Sequence, residues 1–243
     1  MMAEGSEESA SVAAALRPMR FALANSLLVR CMALGYRLTG KNRYDDYRLE
    51  HVHGAPILVI PSVFNPKLLR SGEFFASALA CEPAPGQGDV LDLGTGSGVC
   101  AIFAARSARH VVAVDINAAA VRCAHINVAM NQLEHKIEVR QGDLFAPVQG
   151  ERFDLILFNP PFFRGTPRSD RDRAWRSNDA AEHFAAQLRS HLRPGGRALI
   201  LLSTLGIAAT FLEQLRRHGF SLSVVAERRY VGERMAIFSA VPQ

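Results

Sequence analysis

The sequence predicts an α/β fold built on a doubly wound, mostly parallel β-sheet. Three observations lead to this class. From residue 57 onward, short apolar runs alternate with stretches of helical periodicity; a glycine-rich turn follows one of these runs and opens a helix; and acidic residues end the next two runs. Parallel strands are joined through helices, which then cover both faces of the sheet. We therefore expect a domain whose ligands bind at the carboxyl ends of the strands.

The predicted elements alternate along the chain, as a βα fold requires. Strands are expected at 57–60, 89–93, 111–114, 137–140, 153–158, 198–202, 221–227 and 235–241. Helices are expected at 66–80, 99–107, 118–130, 177–191 and 207–218. Pro61 ends the first strand, and residues 177–179 offer N-cap side chains to the helix that follows them. This alternation predicts one domain over residues 51–243.

Residues 1–50 differ from the rest of the chain in composition. Residues 1–11 are polar and rich in Ala, Ser and Glu, which is typical of a frayed terminus. Residues 12–38 are rich in Ala and Leu and predict one or two helices, which we expect to form a short helical extension or lid. The acidic start is unlike a secretory signal, and no apolar run reaches transmembrane length. We therefore expect a cytoplasmic protein that makes no membrane contact.

The composition limits the classes of partner and ligand. The 243 residues carry a formal net charge of +5, which fits a partner with phosphates or acidic groups. Many enzymes that bind no nucleic acid carry a similar charge, so the charge alone decides nothing. Cys31, Cys81, Cys100 and Cys123 form no C-x-x-C pair and have no histidine at ligand spacing. We therefore expect reduced thiols and no metal site.

A glycine-rich turn covers residues 92–98, with the sequence D-L-G-T-G-S-G. Glycines suit this place because the chain reverses sharply and a ligand must approach the backbone without a Cβ atom in the way. A dinucleotide fingerprint would require glycine at position 99, where Val99 stands. The spacing therefore disfavours a dinucleotide. The candidate cofactor-binding residues of the turn are Asp92, Gly94, Thr95, Gly96 and Gly98.

Two further acidic residues end the strands that follow the turn. Asp115 lies 17 residues after Gly98 and could accept hydrogen bonds from both hydroxyls of a ribose. Asp143 ends the next strand, with Leu144 behind it as an apolar lip for an adenine ring. Successive strand ends of one sheet converge on its carboxyl edge. Asp115, its neighbour Ile116, Asp143 and Leu144 are therefore further cofactor-binding candidates.

The order of these motifs resembles that of the class I S-adenosylmethionine-dependent methyltransferases. Residues 92–98 match the first motif of that family, Asp115 its ribose-binding acid, residues 142–143 its adenine-side acid, and residues 159–162, with the sequence N-P-P-F, its fourth motif. The resemblance implies a Rossmann-like methyltransferase fold, in which a seven-stranded sheet ends in an antiparallel C-terminal pair. It also implies S-adenosylmethionine as the cofactor, with its methionine portion over the backbone of 94–96 and its adenine amino group facing the acid at 143.

The tetrapeptide Asn159-Pro160-Pro161-Phe162 carries the catalytic candidates and follows the predicted strand at 153–158. Two prolines keep the backbone extended and donate no N–H, which leaves carbonyl oxygens facing the site. The side-chain oxygen of Asn159 and the carbonyl of Pro160 could accept the two N–H groups of a planar nitrogen, and Phe162 could stack on its plane. Asn159 is thus both a catalytic and a cofactor-binding candidate. The sequence predicts an N-methyltransferase.

The class of molecule that carries the acceptor nitrogen is less tightly determined. Residues 63–66 and 71–75 resemble, in variant form, the element ahead of the first motif in HemK-type protein-glutamine N5-methyltransferases, which favours a protein substrate. Phe162 is instead commoner in the small-domain rRNA guanine-N2 methyltransferases. A nucleobase, through adenine N6 or guanine N2, and a small-molecule amine are therefore the alternatives.

An arginine-rich loop follows the tetrapeptide. Residues 164–176 hold five arginines interleaved with Asp170 and Asp172, and Trp175 precedes the last arginine. Arginine suits phosphates and aromatic side chains suit stacked bases, so the loop could face a nucleic acid. It could also dock an acidic protein, or its charges could pair with one another in solvent. A cofactor-binding scaffold without activity is disfavoured, because every motif residue named above is intact.

Overall fold

The computed structural model describes residue 12 and residues 46–81, 88–166 and 176–243. The predicted tail at 1–11, nearly all of the predicted helical segment at 12–38 and the middle of the arginine-rich loop lie outside these residues. Val12, the described residue of the helical segment, is helical and buried in an apolar cluster of the main domain.

A β-hairpin opens the continuous part of the structure. β1 (Arg48–Val52) pairs antiparallel with β2 (Ala55–Val59) across a turn that contains Gly54. A loop then leads to α1 (Ser71–Cys81). The division of the chain at residue 50 stays a prediction; β1, which spans that residue, pairs along its whole length with β2.

The α/β core follows α1. Its first half consists of β3 (Asp89–Leu93), α2 (Val99–Ala104), β4 (His110–Asp115), α3 (Ala118–Met130), β5 (Ile137–Gln141) and β6 (Phe153–Phe158). Its second half consists of β7 (Phe163–Arg164), β8 (Arg176–Ser177), α4 (Ala180–Leu188), β9 (Leu192–Ser203), α5 (Ala208–Arg217), β10 (Phe220–Tyr230) and β11 (Glu233–Pro242). Short 3₁₀ turns lie at Ala146–Val148 and Arg189–His191. Among the described helices, none has the length and apolar character needed to cross a membrane.

Seven strands form one sheet in the order β10-β11-β9-β6-β3-β4-β5. β9, β6, β3, β4 and β5 run parallel, whereas β11 runs antiparallel to both β9 and β10. The predicted seven-stranded, mostly parallel sheet with an antiparallel C-terminal pair is therefore confirmed. From β3, the chain adds β4 and β5 toward one edge of the sheet. It then returns to place β6 beside β3 and continues toward the opposite edge. The boundary between β3 and β6 is thus the switch point at which open α/β sheets bind ligands.

Two apolar clusters pack on the two faces of the sheet. Val90 belongs to one cluster, and its neighbours Leu91 and Leu93 belong to the other. This alternation follows from the strand, whose successive side chains point to opposite faces. The hairpin and α1, α2 and α3 cover the first face, while α4 and α5 cover the second through Phe184 and Phe211. The core on both faces holds the carboxyl ends of the strands in place.

The helix predicted at 66–80 begins later than expected, at Ser71. Asn65 is buried, and its Oδ1 accepts hydrogen bonds from the backbone N–H groups of Lys67 and Leu68, both at 3.0 Å. Its Nδ2 donates to Glu50 Oε1 at 3.0 Å. Side-chain hydrogen bonds of this kind compete with helix formation. Residues 65–70 therefore form turns that approach the carboxyl edge of the sheet.

Asn127 joins the hairpin to the glycine-rich turn from the buried face of α3. Its Nδ2 donates to the carbonyl oxygens of Leu58, at 2.7 Å, and Ser97, at 2.8 Å. Its Oδ1 accepts from the backbone N–H of Leu58 at 2.7 Å. The side chain is fully buried, so no water replaces these partners. Asn127 therefore fixes the turn relative to the hairpin.

The substitution Asn127→Ala should destabilise the domain, because it leaves buried backbone groups of Leu58 and Ser97 without partners. We expect the free energy of unfolding to fall by about 2–4 kcal/mol. Urea unfolding followed by circular dichroism measures the change. His125→Ala, at an exposed position of the same helix, is the control and should change the free energy by less than about 0.5 kcal/mol. Equal losses in the two variants would contradict the role assigned to Asn127.

Candidate cofactor and acceptor site

A cavity of about 370 Å³ lies at the carboxyl edge of the sheet, at the switch point between β3 and β6. Its wall comes from the residues that follow β3, β4, β5 and β6, from the loop ahead of α1 and from the start of α4. The predicted site residues that line it are Asp92, Gly94, Thr95, Gly96, Asp115, Ile116, Asp143, Leu144, Asn159, Pro160, Pro161 and Phe162. The ends of four neighbouring parallel strands thus meet in one cavity.

Gly98 lies behind the cavity wall, at the N-terminus of α2. Its φ is +80°, and a Cβ atom built there would lie 3.3 Å from both Cα and Cβ of Ala124 in α3. The positive φ and the close approach both favour glycine. Gly98 therefore shapes the turn and lets α2 pack against α3, and the structure does not place it in the cavity with the other predicted residues.

The Asp92 carboxylate holds the glycine-rich turn from the end of β3. Its Oδ2 accepts hydrogen bonds from Thr95 Oγ1 at 2.6 Å and from the backbone N–H of Ala101 at 3.1 Å. Asp92 is buried, and this burial raises the pKa of its carboxyl to about 7. Both partners lie in the turn or in the helix that it opens, so Asp92 determines how the turn leaves the strand.

The Asp115 carboxylate joins the end of β4 to the same turn. Its Oδ2 accepts from the backbone N–H of Gly96 at 2.9 Å, and its Oδ1 accepts from the backbone N–H of Asn117 at 2.9 Å. Burial raises the pKa of Asp115 despite these hydrogen bonds. The backbone N–H of Ile116 also interacts with this carboxylate, and a carboxylate has about four lone-pair sites, so capacity for a further hydrogen bond is left. Asp115 can therefore bind a ligand without releasing the turn.

Asn159 follows β6 directly and faces the cavity from the opposite side of the switch point. Its Nδ2 donates to Ser71 Oγ at 3.3 Å. Its Oδ1 is buried and has no hydrogen-bond partner among the described residues. The carbonyl oxygen of Phe162, at the other end of the tetrapeptide, accepts from the backbone N–H of Ile207 at 2.9 Å. The site therefore contains a buried side-chain oxygen that could accept a hydrogen bond from a bound ligand.

Several wall residues were not among the predicted site residues. The loop ahead of α1 contributes Ser62, Val63, Phe64 and Pro66, and α1 itself contributes Gly72. The resemblance of residues 63–66 to the element ahead of the first motif was the signal that could have identified them. Residues 176–180, with Asn117 and His183, also belong to the unpredicted part of the wall. The sequence identified Arg176 as part of the arginine-rich loop and residues 177–179 as N-cap side chains, but it did not predict that they line this cavity, because that depends on where α4 packs.

The described residues contain no group of three or more His, Cys, Asp or Glu side chains that could hold a metal ion. Cys100 and Cys123 are buried thiols and Cys81 is an exposed one. Burial raises the pKa of Cys123 to about 11, so its thiol is protonated at neutral pH. Cys100 and Cys123 therefore behave as small apolar side chains.

The buried Asp92 carboxyl predicts that stability falls as the pH rises from about 4 to about 7. In this range the folded chain keeps a proton on Asp92, whose pKa is about 7, whereas the ordinary pKa of 3.8 means that an unfolded chain has released it. The folded state then binds more protons than the unfolded state, so the free energy of unfolding decreases with pH and levels off above the folded pKa. Thermal unfolding across this range measures the slope.

Asp92→Asn should flatten this pH profile, because its side chain does not titrate. Asp89→Asn is the matched control: hydrogen bonding to Arg109 lowers the pKa of Asp89, so its contribution changes only in more acidic solution. We expect the control to keep the slope of the parent chain above about pH 5. A slope in Asp92→Asn equal to that of the parent would show that other groups cause it.

Comparison with known proteins gives one family for this chain. The family model described as "Methyltransferase small domain" matches residues 56–229. Ribosomal RNA small subunit methyltransferase C of Haemophilus influenzae is 31% identical over 190 residues, which is 77% of this chain and 52% of that protein. A putative protein N5-glutamine methyltransferase of Methanocaldococcus jannaschii is 30% identical over 164 residues, which is 63% of this chain and 80% of that protein.

Solved structures share the fold. A 16S rRNA N2 methyltransferase of T. thermophilus, in complex with AdoMet and guanosine, superimposes with a TM-score of 0.59 at 22% identity, covering 82% of this chain and 50% of that one. This chain spans only 39% and 52% of the length of two rRNA methyltransferase C relatives, from Alcanivorax borkumensis and Haemophilus influenzae. The family match runs from β2 through the glycine-rich turn and Asn159 to β10, and the resemblance drawn from the sequence is thereby confirmed. The chain belongs to the methyltransferase small domain family, and its fold and motif order resemble those of the class I S-adenosylmethionine-dependent methyltransferases.

Proposed function

We propose that the chain transfers a methyl group from S-adenosylmethionine to a planar nitrogen, that of an amide or of an exocyclic amino group. The observation that carries this proposal is Asn159 Oδ1, which lies buried at the cavity without a hydrogen-bond partner among the described residues. A buried acceptor without a partner costs free energy unless a bound group donates to it. An N–H group of the methyl acceptor is the donor that suits this position.

The ends of β3, β4 and β5 fit S-adenosylmethionine. We assign the backbone of residues 94–96 to the methionine portion, Asp115 to the ribose hydroxyls and Asp143 to the adenine amino group. The acceptor capacity that remains on the Asp115 carboxylate supports its part in this assignment. Ile116 and Leu144 present partly exposed apolar side chains at the cavity, which suits the two sides of an adenine ring. When bound, the cofactor supplies a methyl group on a positively charged sulfur, which retains the electron pair of the broken C–S bond.

The Asn159-Pro160-Pro161-Phe162 segment would hold the acceptor nitrogen. Asn159 Oδ1 and the carbonyl oxygen of Pro160 accept its two N–H groups, and the ring of Phe162 lies against its plane. This leaves the nitrogen lone pair free to form the new N–C bond, and alignment of this kind contributes on the order of 7–11 kcal/mol in favourable cases. The N–H group held by Asn159 Oδ1 becomes acidic as the N–C bond forms, so its proton passes to solvent without a strong base.

Among planar nitrogens, we propose the side-chain amide of glutamine in a protein. A primary amide offers two N–H groups to the two acceptors. The segment that resembles the HemK-type element contributes Val63, Phe64, Pro66 and Gly72 to the cavity wall, which supports this choice. The relative from Methanocaldococcus jannaschii is named as a putative protein N5-glutamine methyltransferase, and this chain covers 80% of its length. That similarity also supports a glutamine acceptor.

The exocyclic amino group of a nucleobase is the second candidate. Adenine and guanine present the same two N–H groups to Asn159 and Pro160. Arg176 lies at the cavity and belongs to β8, which pairs with β7, the strand that contains Arg164. Arginine side chains suit the phosphates of a nucleic acid. The rRNA methyltransferase relatives support this alternative. The two candidates differ in what lies around the cavity rather than at its acceptor atoms.

Asn159→Ala should remove the side-chain acceptor and leave the other cofactor-binding candidates in place. We expect kcat to fall about 100-fold or more, as when a preorganised polar group is removed from an active site. The Kd of S-adenosylmethionine, measured by isothermal titration, should stay within about threefold of the parent value, which is under about 0.7 kcal/mol. Asp115→Asn is the complementary variant and should weaken cofactor binding. A kcat in Asn159→Ala comparable to that of the parent would refute the assignment.

The substrate class can be tested with labelled S-adenosylmethionine and a cell lysate. The labelled products are divided and treated with protease or with nuclease. If the acceptor is a protein glutamine, the label becomes acid-soluble after protease treatment and survives nuclease. Label that survives protease and is lost to nuclease would move the proposal to a nucleobase. Asn159→Ala, incubated in parallel, gives the background.

A further inference from the structure

We infer that the Asn159-Pro160-Pro161-Phe162 segment is positioned from both ends by residues outside the cavity wall: the Ser71 side chain at Asn159, and Gly206 with Ile207 at Phe162. This inference rests on the proposed function, since it concerns how the acceptor nitrogen is held. Neither Ser71 nor Gly206 lies in the cavity wall, so both are positioning residues rather than catalytic ones.

The contact at Asn159 comes from a fixed point of the structure. Ser71 is the first residue of α1 and is fully buried, with 0% of its surface exposed. A Cβ atom built on the next residue, Gly72, would lie 2.5 Å from Cβ of Pro66, so the start of α1 packs directly on that proline. The backbone N–H of Glu73 also donates to the Pro66 carbonyl at 3.2 Å. Ser71 therefore has little freedom to follow Asn159 if the amide turns.

The Ser71 hydroxyl forms a hydrogen bond with the Nδ2 end of the Asn159 amide. An asparagine amide has two N–H donors on one side and one acceptor oxygen on the other. Ser71 Oγ accepts from Asn159 Nδ2 at 3.3 Å, which directs Oδ1 away from Ser71. The reversed amide would place N–H groups against the N–H groups of the methyl acceptor. The correct orientation is thus a condition for binding the planar nitrogen.

The contact at Phe162 is a close backbone approach. The N–H of Ile207 donates to the Phe162 carbonyl at 2.9 Å. A Cβ atom built on Gly206 would lie 2.2 Å from that carbonyl oxygen and 3.0 Å from its carbon, which no real Cβ atom tolerates. Only glycine therefore lets the 203–207 loop approach Phe162 so closely. Any side chain at residue 206 must push the tetrapeptide or the loop away.

The 203–207 loop is itself anchored to β11. The backbone N–H of Thr204 donates to the Arg234 carbonyl at 2.9 Å, and the backbone N–H of Arg234 donates to Thr204 Oγ1 at 3.0 Å. Ser203 Oγ donates to Glu233 Oε1 at 2.6 Å. The two prolines limit the internal freedom of the tetrapeptide. Contacts at its two ends are therefore enough to set the position of both predicted acceptor oxygens.

Side-chain exchange tests the Ser71 contact without any methyl acceptor. The chain is labelled with ¹⁵N-asparagine and saturated with S-adenosylhomocysteine as the probe, and the Asn159 amide signal is identified by its loss in Asn159→Ala. We expect Ser71→Ala to speed solvent exchange of the Asn159 Nδ2 protons by about tenfold or more, because their partner is gone. Ser71→Thr, which keeps the hydroxyl, should restore slow exchange.

The control for this measurement is Ser77→Ala in the same helix. Ser77 Oγ donates to the Glu73 carbonyl at 2.7 Å and lies outside the cavity wall. This variant should leave the Asn159 exchange rate unchanged. Unchanged exchange in Ser71→Ala, or an equal increase in Ser77→Ala, would overturn the role of Ser71.

Hydrogen–deuterium exchange and kinetics test the Gly206 contact. Gly206→Ala should speed exchange at the Ile207 amide and lower kcat about tenfold or more, with the Kd of S-adenosylhomocysteine within about threefold of the parent value. Gly150→Ala is the control, because Gly150 has a φ of +80°, has open space around it and is not part of the cavity wall. It should lower the melting temperature and leave kcat unchanged.

In the kinetic measurements, the substrate is the acid-precipitable lysate fraction that the parent chain labels. A fall in kcat for Ser71→Ala and Gly206→Ala, with Ser77→Ala and Gly150→Ala near the parent value, supports the inference. Parent-like kcat in both test variants, or a change in KM alone, would overturn it. If the parent chain labels no lysate fraction, the proposed function fails, while the two exchange measurements still decide whether the tetrapeptide is held from both ends.

Discussion

The hydrogen bond from the Gly96 backbone to Asp115 Oδ2 joins the carboxyl ends of β3 and β4, and the cavity is arranged around it. A turn with three glycines has many accessible conformations and loses more entropy on folding than other sequences. Asp92 holds the same turn from β3 through Thr95, and Asn127 holds it from α3 through the Ser97 carbonyl. Side chains from three elements therefore hold in one conformation a loop that glycine alone would leave free.

This arrangement requires two carboxylates to be buried close together. Burial raises the pKa of both Asp92 and Asp115, and the charge of Asp115 adds to the rise at Asp92. Backbone N–H donors offset part of the desolvation cost, which is otherwise large for a buried charge. The two apolar clusters on the faces of the sheet supply the stability that the site itself does not. The site thus depends on a well-packed core. Raised carboxyl pKa values of this kind are common at ligand-binding and catalytic sites.

The acceptor side of the cavity follows a different physical principle. The side that we assign to the cofactor contains carboxylates that accept from backbone N–H groups. The side that we assign to the methyl acceptor contains Asn159 Oδ1, which has no donor among the described residues. Proline supplies carbonyl oxygens without N–H groups, and Asn159 supplies a buried oxygen without a partner among the described residues. Such a surface suits a planar nitrogen with two N–H groups. The identity of the molecule that carries this nitrogen depends on the surroundings, where Phe64 and Arg176 lie.

The sequence by itself determined the local elements and the motif order, because side-chain periodicity and turn chemistry are local properties. The helix at 118–130 and the strands at 89–93 and 153–158 have the predicted bounds. Local chemistry also explains why α1 begins later than predicted, since the Asn65 side chain forms turns where helical spacing continues. Acidic residues at strand ends were sufficient to predict one shared edge, because parallel strands end together.

Only the tertiary structure decided which distant residues meet. Ser71 and Asn159 are 88 residues apart, and their contact exists because β6 lies next to β3 and the turns after Asn65 bring α1 to that edge. Gly206 meets Phe162 because β9 lies beside β6. Gly98, which shares the motif with Gly96, lies behind the wall because α3 packs against it. Strand order and helix packing arise from hydrogen bonds and apolar contacts between remote segments, and a local pattern does not contain them.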